Sequence, residues 1–164
     1  MPLPSTMTPI ATNTLTTGAN TVTFSSISQS YTDLVCVISD CKVTSDTDGV
    51  GVYYNGSTAS NYSYTYLDRG PGSATYSNQG GAANYSTWGA TSSTTPGVVI
   101  INIMNYSNTT TYKTSLSRNG VRTTEAFVNL WRSTAAISSI TFFCQGASNY
   151  LTGTIFTIYG IKAA

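Results

Sequence analysis

The chain ends in the stretch "GTIFTIYGIKAA", residues 153–164, which reads as a β-strand that is apolar on both faces. Side chains alternate along a strand, so Ile155 and Ile161 would point to one face. Phe156 and Ile158 would point to the other. A strand with one side in solvent would carry polar residues on that side. The pattern therefore predicts that this strand is covered on both faces by its own fold, or on one face by another subunit.

Two further segments are apolar on both faces: "LVCVI" at 34–38 and "VVIINI" at 98–103. Both are typical of inner strands of a sheet. Elsewhere β-branched and aromatic residues alternate with turn residues, and no window has a helical period. The sequence predicts strands near 9–16, 20–27, 31–43, 49–55, 61–68, 97–106, 110–118, 121–132, 137–144 and 153–162.

Three dipeptides of the kind that favours tight turns separate these strands. Asn119-Gly120 predicts a hairpin between the strands on either side of it. The segment "SDTDGV" at 45–50 and the segment "YNGS" at 54–57 predict two more turns.

Two segments depart from the strand pattern. The start of the chain, 1–12, contains three prolines and predicts an extended arm. Residues 69–97 are rich in Gly and Ser and predict one long loop, with a role at a subunit boundary or as a mobile surface segment. Together the patterns predict a single all-β domain over 1–164, an antiparallel two-sheet β-sandwich of jelly-roll-like form.

Charged residues make up 8% of the chain, against about 25% in an average protein. The seven Lys and Arg residues are scattered, so no basic patch for nucleic acid is indicated. The apolar runs, such as 98–101, are far too short to cross a membrane. Low charge combined with apolar sheet faces favours a subunit of a permanent assembly.

The sequence contains no histidine, which excludes Ser-His-Asp and Cys-His catalysis and His-ligated metals. Glu125 is the only glutamate, and a carboxylate pair would need an aspartate partner from Asp33, Asp40, Asp46, Asp48 or Asp68. The aspartates at 46 and 48 weakly suggest a calcium loop, but the Asp-Gly turn explains them. The sequence therefore predicts no enzyme, no cofactor and no metal site.

The three cysteines, Cys36, Cys41 and Cys144, match no metal-binding spacing and are expected to be buried thiols. Aromatic residues are concentrated in one part of the chain, where they could stack on sugars, form a protein interface, or simply fill sandwich edges. They are Tyr53, Tyr54, Tyr62, Tyr64, Tyr66, Tyr76, Tyr85 and Trp88.

Several strings, "NYSNTTTYKTSLSR", "LWRSTAAISSITFF" and "GTIFTIYGIKAA", together with the opening "TPIATNTLT", resemble small virion proteins of tailed bacteriophages. The resemblance implies a β-sandwich subunit of the particle that is assembled in the host cytoplasm. It favours a capsid decoration (cement) protein, a homotrimer bound to the major capsid protein or other virion proteins. The alternative is a head- or tail-fibre module that recognises a host glycan.

Ten residues are candidates for partner contact. They fall in the arm, the long loop and the end of a strand: Pro2, Leu3, Pro4, Pro9, Ile10, Tyr76, Tyr85, Trp88, Trp131 and Arg132.

Overall fold

The computed structural model describes residues 6–46, 48–69, 76–120 and 124–162, except for a few side chains within these ranges. The elements in these ranges are strands: β1 (Met7–Thr14), β2 (Thr21–Phe24), β3 (Asp33–Cys41), β4 (Gly49–Tyr54), β5 (Tyr62–Arg69), β6 (Tyr76–Ala83), β7 (Ser86–Ala90), β8 (Gly97–Ile103), β9 (Lys113–Gly120), β10 (Thr124–Trp131), β11 (Ile140–Cys144) and β12 (Ile155–Ile161).

The strands form two antiparallel sheets. The large sheet has eight strands in the order β1-β12-β3-β8-β9-β10-β5-β6, and the small sheet has four in the order β2-β11-β4-β7. The two sheets pack as a sandwich, which confirms the predicted all-β class. A jelly roll has eight strands in all, so the likeness to one is limited to the two-layer antiparallel plan.

The strands predicted to be internal are internal. β12, β3 and β8 are the second, third and fourth strands of the large sheet, each paired on both sides. Their inward side chains, such as Phe156, Cys36 and Ile101, are buried against the small sheet. The small sheet contributes Val52 and Phe142 to the same core.

The predicted N-terminal arm is wrong for residues 7–12, which belong to edge strand β1 and pair with β12. Pro9 is tolerated there because an edge strand does not need every N–H for the sheet, and the register shifts directly after it. The predicted loop 69–97 is also wrong as a single loop, because it contains strands β6 and β7.

The turn predictions are correct in part. β9 and β10 do form a hairpin, but Asn119 and Gly120 lie inside its ladder, opposite Glu125 and Thr124. At 54–57, Asn55 and Gly56 both have positive φ, and Ser57 N–H donates to the carbonyl of Tyr54. The segment 45–50 overlaps the start of β4 at Gly49, and β3 and β4 lie in different sheets, so it closes no hairpin between them.

One buried amide joins the two sheets at the edge of the small sheet. Asn129, on the inner face of β10, accepts the Thr87 N–H at 3.1 Å and donates to the Thr87 carbonyl at 3.2 Å. The side chain is 1% exposed. The Asn129 side chain therefore takes the place of a neighbouring strand along the free edge of β7. Without it, the N–H and carbonyl groups of Thr87 would lack hydrogen-bond partners on that edge.

We expect Asn129→Ala to destabilise the protein by about 2–4 kcal/mol, because two buried backbone groups lose their partners. Asn129→Asp should cost more, since it places a carboxylate against the Thr87 carbonyl. Urea denaturation measures both. Asn13→Ala, at an exposed strand position, is the control and should change stability by less than about 0.5 kcal/mol; an equal loss at both positions would contradict the role of Asn129.

Candidate functional site

The large sheet has a second face that is turned away from the small sheet. Strand register places its residues in cross-strand rows that run from β12 to β5. One row is Tyr159, Val35, Asn102, Leu116, Val128 and Thr65; the next is Thr157, Val37, Ile100, Arg118, Ala126 and Leu67. We call this surface the outer face. Its rows are mostly apolar across six strands.

The outer face is not covered by any part of the chain that the structure describes. Leu67, Leu116 and Val128 are 56%, 40% and 51% exposed, whereas Val99 and Ile101, on the opposite face of β8, are at most 1% exposed. Among the residues that the structure describes, five of the seven exposed large hydrophobic side chains lie in strands of the large sheet at outward register positions. They are Met7, Leu67, Val98, Leu116 and Val128.

The outer face is large enough to form a protein interface. Six strands spaced about 4.8 Å apart and seven residues long at about 3.3 Å each cover roughly 600–700 Å². A specific, stable interface buries about 600–1,000 Å² on each partner. The largest apolar patch on a typical monomer is about 300–600 Å². This surface therefore fits a subunit contact better than a solvated sheet.

Charge is sparse on this surface. Its described side chains include Arg118 near the middle and Asp33 at one end, where Asp33 Oδ1 accepts the Asn105 N–H at 2.6 Å. A partner would therefore have few ions to desolvate. The low charge that the sequence shows overall is reproduced at this surface.

Of the predicted contact residues, Pro9 is exposed on β1 in register with Tyr159 of the outer face, and the others that the structure describes lie elsewhere. Trp131 is a core residue, with its ring 5.5 Å from that of Tyr54 and 6.2 Å from that of Tyr62. Its assignment as a contact is wrong. Arg132 is partly buried, and its Nη2 donates to three main-chain carbonyls, those of Ser60, Tyr62 and Gly81. It joins β5 and β6 to the end of β10.

The remaining candidates are scattered. Ile10 is half-buried against the core and Pro9 is exposed on β1. Pro2, Leu3 and Pro4 lie outside the described residues, as do the side chains of Tyr76 and Trp88, whose backbones belong to β6 and β7. The strands that are apolar on both faces indicated that a second apolar surface would exist. The sequence could not show which of the two faces the small sheet would cover.

The aromatic side chains that the structure describes do not form one platform. Tyr54 and Tyr62 pack with Trp131 in the core. Tyr64 and Tyr66 lie on the inner side of β5, where Tyr66 stacks on Phe127 at 4.8 Å. The cluster is therefore divided, which removes the main structural argument for a single glycan-stacking surface.

A third aromatic group lies on the outside of the small sheet. Tyr53 stacks on Phe143 at 4.4 Å, and Tyr85 meets the edges of both rings. Phe143 lies over its cross-strand partner Gly51, where an added Cβ would come within 2.2 Å of the ring. The three rings cover one another and shield a glycine, which is a structural role.

Gly51→Ala should destabilise the protein by about 1–3 kcal/mol, because the ring of Phe143 must move off β4. Gly81→Ala is the matched control, since nothing lies within 4 Å of a Cβ there. Thermal unfolding of both variants measures the difference. If Gly51→Ala leaves the stability unchanged, the Phe143 ring does not pack over Gly51. If the ring causes the loss, Gly51→Ala should cost much less stability in a protein that also carries Phe143→Ala.

Other sequence-predicted groups have structural surroundings. All three cysteines are free and buried, as expected. Asp46 accepts the Ser93 N–H, and Asp48 accepts a hydrogen bond from the Ser148 hydroxyl. These two aspartates therefore join the segment before β4 to the loops that contain Ser93 and Ser148. Within the described ranges, no group of three or more His, Cys, Asp and Glu side chains comes together.

None of the described segments is a helix of the length and apolar character needed to cross a bilayer. In comparisons with known proteins, no protein-family model matches the chain and no curated protein matches it.

Proposed function

We propose that this protein is a structural subunit of a virion, of the capsid decoration type, that binds other subunits through the outer face of its large sheet. The observation that carries the proposal is the apolar, half-exposed surface that crosses six strands of this sheet. A sheet of this kind gains stability when a second protein layer covers it, because apolar area leaves water.

The proposed partners are further copies of the chain, arranged as a homotrimer, and the major capsid protein. The resemblance of the C-terminal strings to phage virion proteins supports this assignment, and so does the low charge of the chain. The protein would act mechanically and without catalysis. Many contacts of modest strength, repeated over a shell, would resist internal pressure.

Locating and counting the protein on purified particles tests the proposal. Quantitative mass spectrometry of particles should give hundreds of copies, and cryo-electron microscopy should place them on the outside of the shell. A few copies confined to the tail tip would contradict decoration and favour the fibre alternative. Loss of the protein should lower the temperature at which particles release DNA.

A further inference from the structure

At one end of the sandwich, two carboxylates lie side by side on the inner face of the large sheet. Glu125 on β10 and Asp68 on β5 are directly opposite in register. Directly opposite residues of an antiparallel pair have Cβ atoms about 4.5–5.5 Å apart and project from the same face. Glu125 is 7% exposed and Asp68 is 9% exposed. Like charges this close repel each other strongly when they are removed from water.

The surroundings of the two carboxylates are unequal. Asn119, the partner of Glu125 on the other side of β10, donates its Nδ2 to Glu125 Oε2 at 2.9 Å and so fixes that carboxylate. The Oδ1 atom of Asp68 is buried and has no hydrogen-bond partner among the described residues. A buried carboxylate oxygen without a donor is costly. This atom therefore points to a ligand.

We propose that Asp68 and Glu125 bind a divalent metal ion of the calcium class. Two carboxylates at this spacing supply hard oxygen ligands, and the described residues around them offer no histidine or thiolate ligand, so the chemistry favours Ca²⁺ over zinc. Water molecules complete the coordination. The hydrogen bond from Asn119 is the kind of outer contact that orients a ligand.

The two carboxylates line a groove at this end of the sheet, through which a small ion can reach them. The groove has a volume of about 850 Å³, and Asn119 lines it together with outer-face residues that include Leu67 and Arg118. With both carboxylates more than nine-tenths buried, the space between them suits a cation. The bound ion would tie β5 to β10 at their ends, where the sheet is not held by the main core.

The affinity should be modest, because only two protein carboxylates take part. For a calcium site with so few protein ligands, we expect a dissociation constant at the weak end of the known range, about 10⁻⁴–10⁻³ M. Saturation should therefore raise the melting temperature of the full chain by about 3–10 °C in 10 mM calcium chloride, relative to EDTA with sodium chloride of equal ionic strength.

Terbium luminescence and melting temperatures test the site. Tb³⁺ bound by Asp68 would be sensitised by Tyr66, which lies two residues earlier on the same face of β5. We expect one Tb³⁺ per chain, displaced by Ca²⁺. Asp68→Asn and Glu125→Gln should each weaken binding by at least tenfold. Asp40→Asn, at an exposed position of positive φ that asparagine favours, is the control and should leave binding unchanged.

A second readout separates ion binding from general damage to the fold. In EDTA, Glu125→Gln should melt at or above the temperature of the unchanged protein, because the substitution removes repulsion with Asp68. In calcium chloride the order should reverse. Binding of no divalent or lanthanide ion by the unchanged protein would overturn the proposal, and so would binding that survives both substitutions.

Discussion

A variant with Leu116→Lys and Val128→Lys should fold normally but fail to assemble, with the dissociation constant of the assembly raised at least 100-fold. The two residues are cross-strand partners near the middle of the outer face, and both are 40% exposed or more. Lysine is tolerated there in a free subunit. In an assembly it would bury two ammonium groups against an apolar partner, and a 100-fold weakening needs only about 2.7 kcal/mol.

Sedimentation velocity measures the change in assembly mass, and circular dichroism verifies that the variant is folded. The matched control is Thr23→Lys with Thr141→Lys, which are also cross-strand partners but lie on the outside of the small sheet. This control should assemble like the unchanged protein. If both pairs alter the assembly equally, or if neither does, the outer face is not the interface.

The second large effect concerns alkaline pH. Burial raises the pKa of the Cys41 and Cys144 thiols from 9.0 to about 12, and it raises the pKa of the Cys36 thiol further. Below pH 9 all three thiols are neutral whether the chain is folded or unfolded. The contribution of these buried thiols to the stability of the fold is therefore fully present there. Above pH 9 only the unfolded chain releases these protons, so stability falls as the pH rises toward the folded-state pKa values.

Above pH 9, each buried thiol should lower the free energy of unfolding by about 1.4 kcal/mol per pH unit. The three together should lower it by roughly 6 kcal/mol at pH 10.5. Burial also raises the pKa of Tyr54, which adds to the loss above pH 10. Lys113 acts in the opposite sense, because burial lowers the pKa of its ammonium group. One group of opposite sign does not offset the others.

Urea denaturation under reducing conditions between pH 8 and pH 10.5 measures this slope. Cys36→Ala removes one buried thiol. The free energy of unfolding of this variant should fall with pH less steeply than that of the unchanged protein, by about 1.4 kcal/mol per pH unit. A stability that stays constant up to pH 10.5 would show that the thiols are not buried as the fold requires.

The sequence predicted the fold class because the signal was local. Apolar residues on both sides of 34–38, 98–103 and 155–161 can be recognised without knowledge of the partner strands. β6 and β7 were missed because "YSNQGGAA" and "STWGA" have few of the β-branched residues that mark a strand. Their strand geometry comes from pairing with β5 and β4, which is a tertiary effect.

The candidate site was only partly accessible to sequence reasoning. The two-sided strands indicated that a surface would need cover, and the structure locates that surface on the outer face. Contact residues were predicted in unusual segments, yet Trp131 lies in the core because β10 turns it inward beside Tyr62. The pairing of Glu125 with Asp68 depends on the register of two distant strands. Five aspartates were equal candidates until that register was known.

Oxidation of Met104 by hydroxyl radicals in the native assembly tests the central claim most directly. Met104 follows β8, is 40% exposed in the single chain and lies beside the outer face. If another subunit covers this face, Met104, Leu116 and Val128 should all be oxidised at least tenfold more slowly in the assembly. For Met104 the reference is the dissociated Leu116→Lys, Val128→Lys protein. For Leu116 and Val128, which that variant lacks, the reference is the unfolded chain. Oxidation of all three at the rate of solvent-exposed side chains would contradict the account.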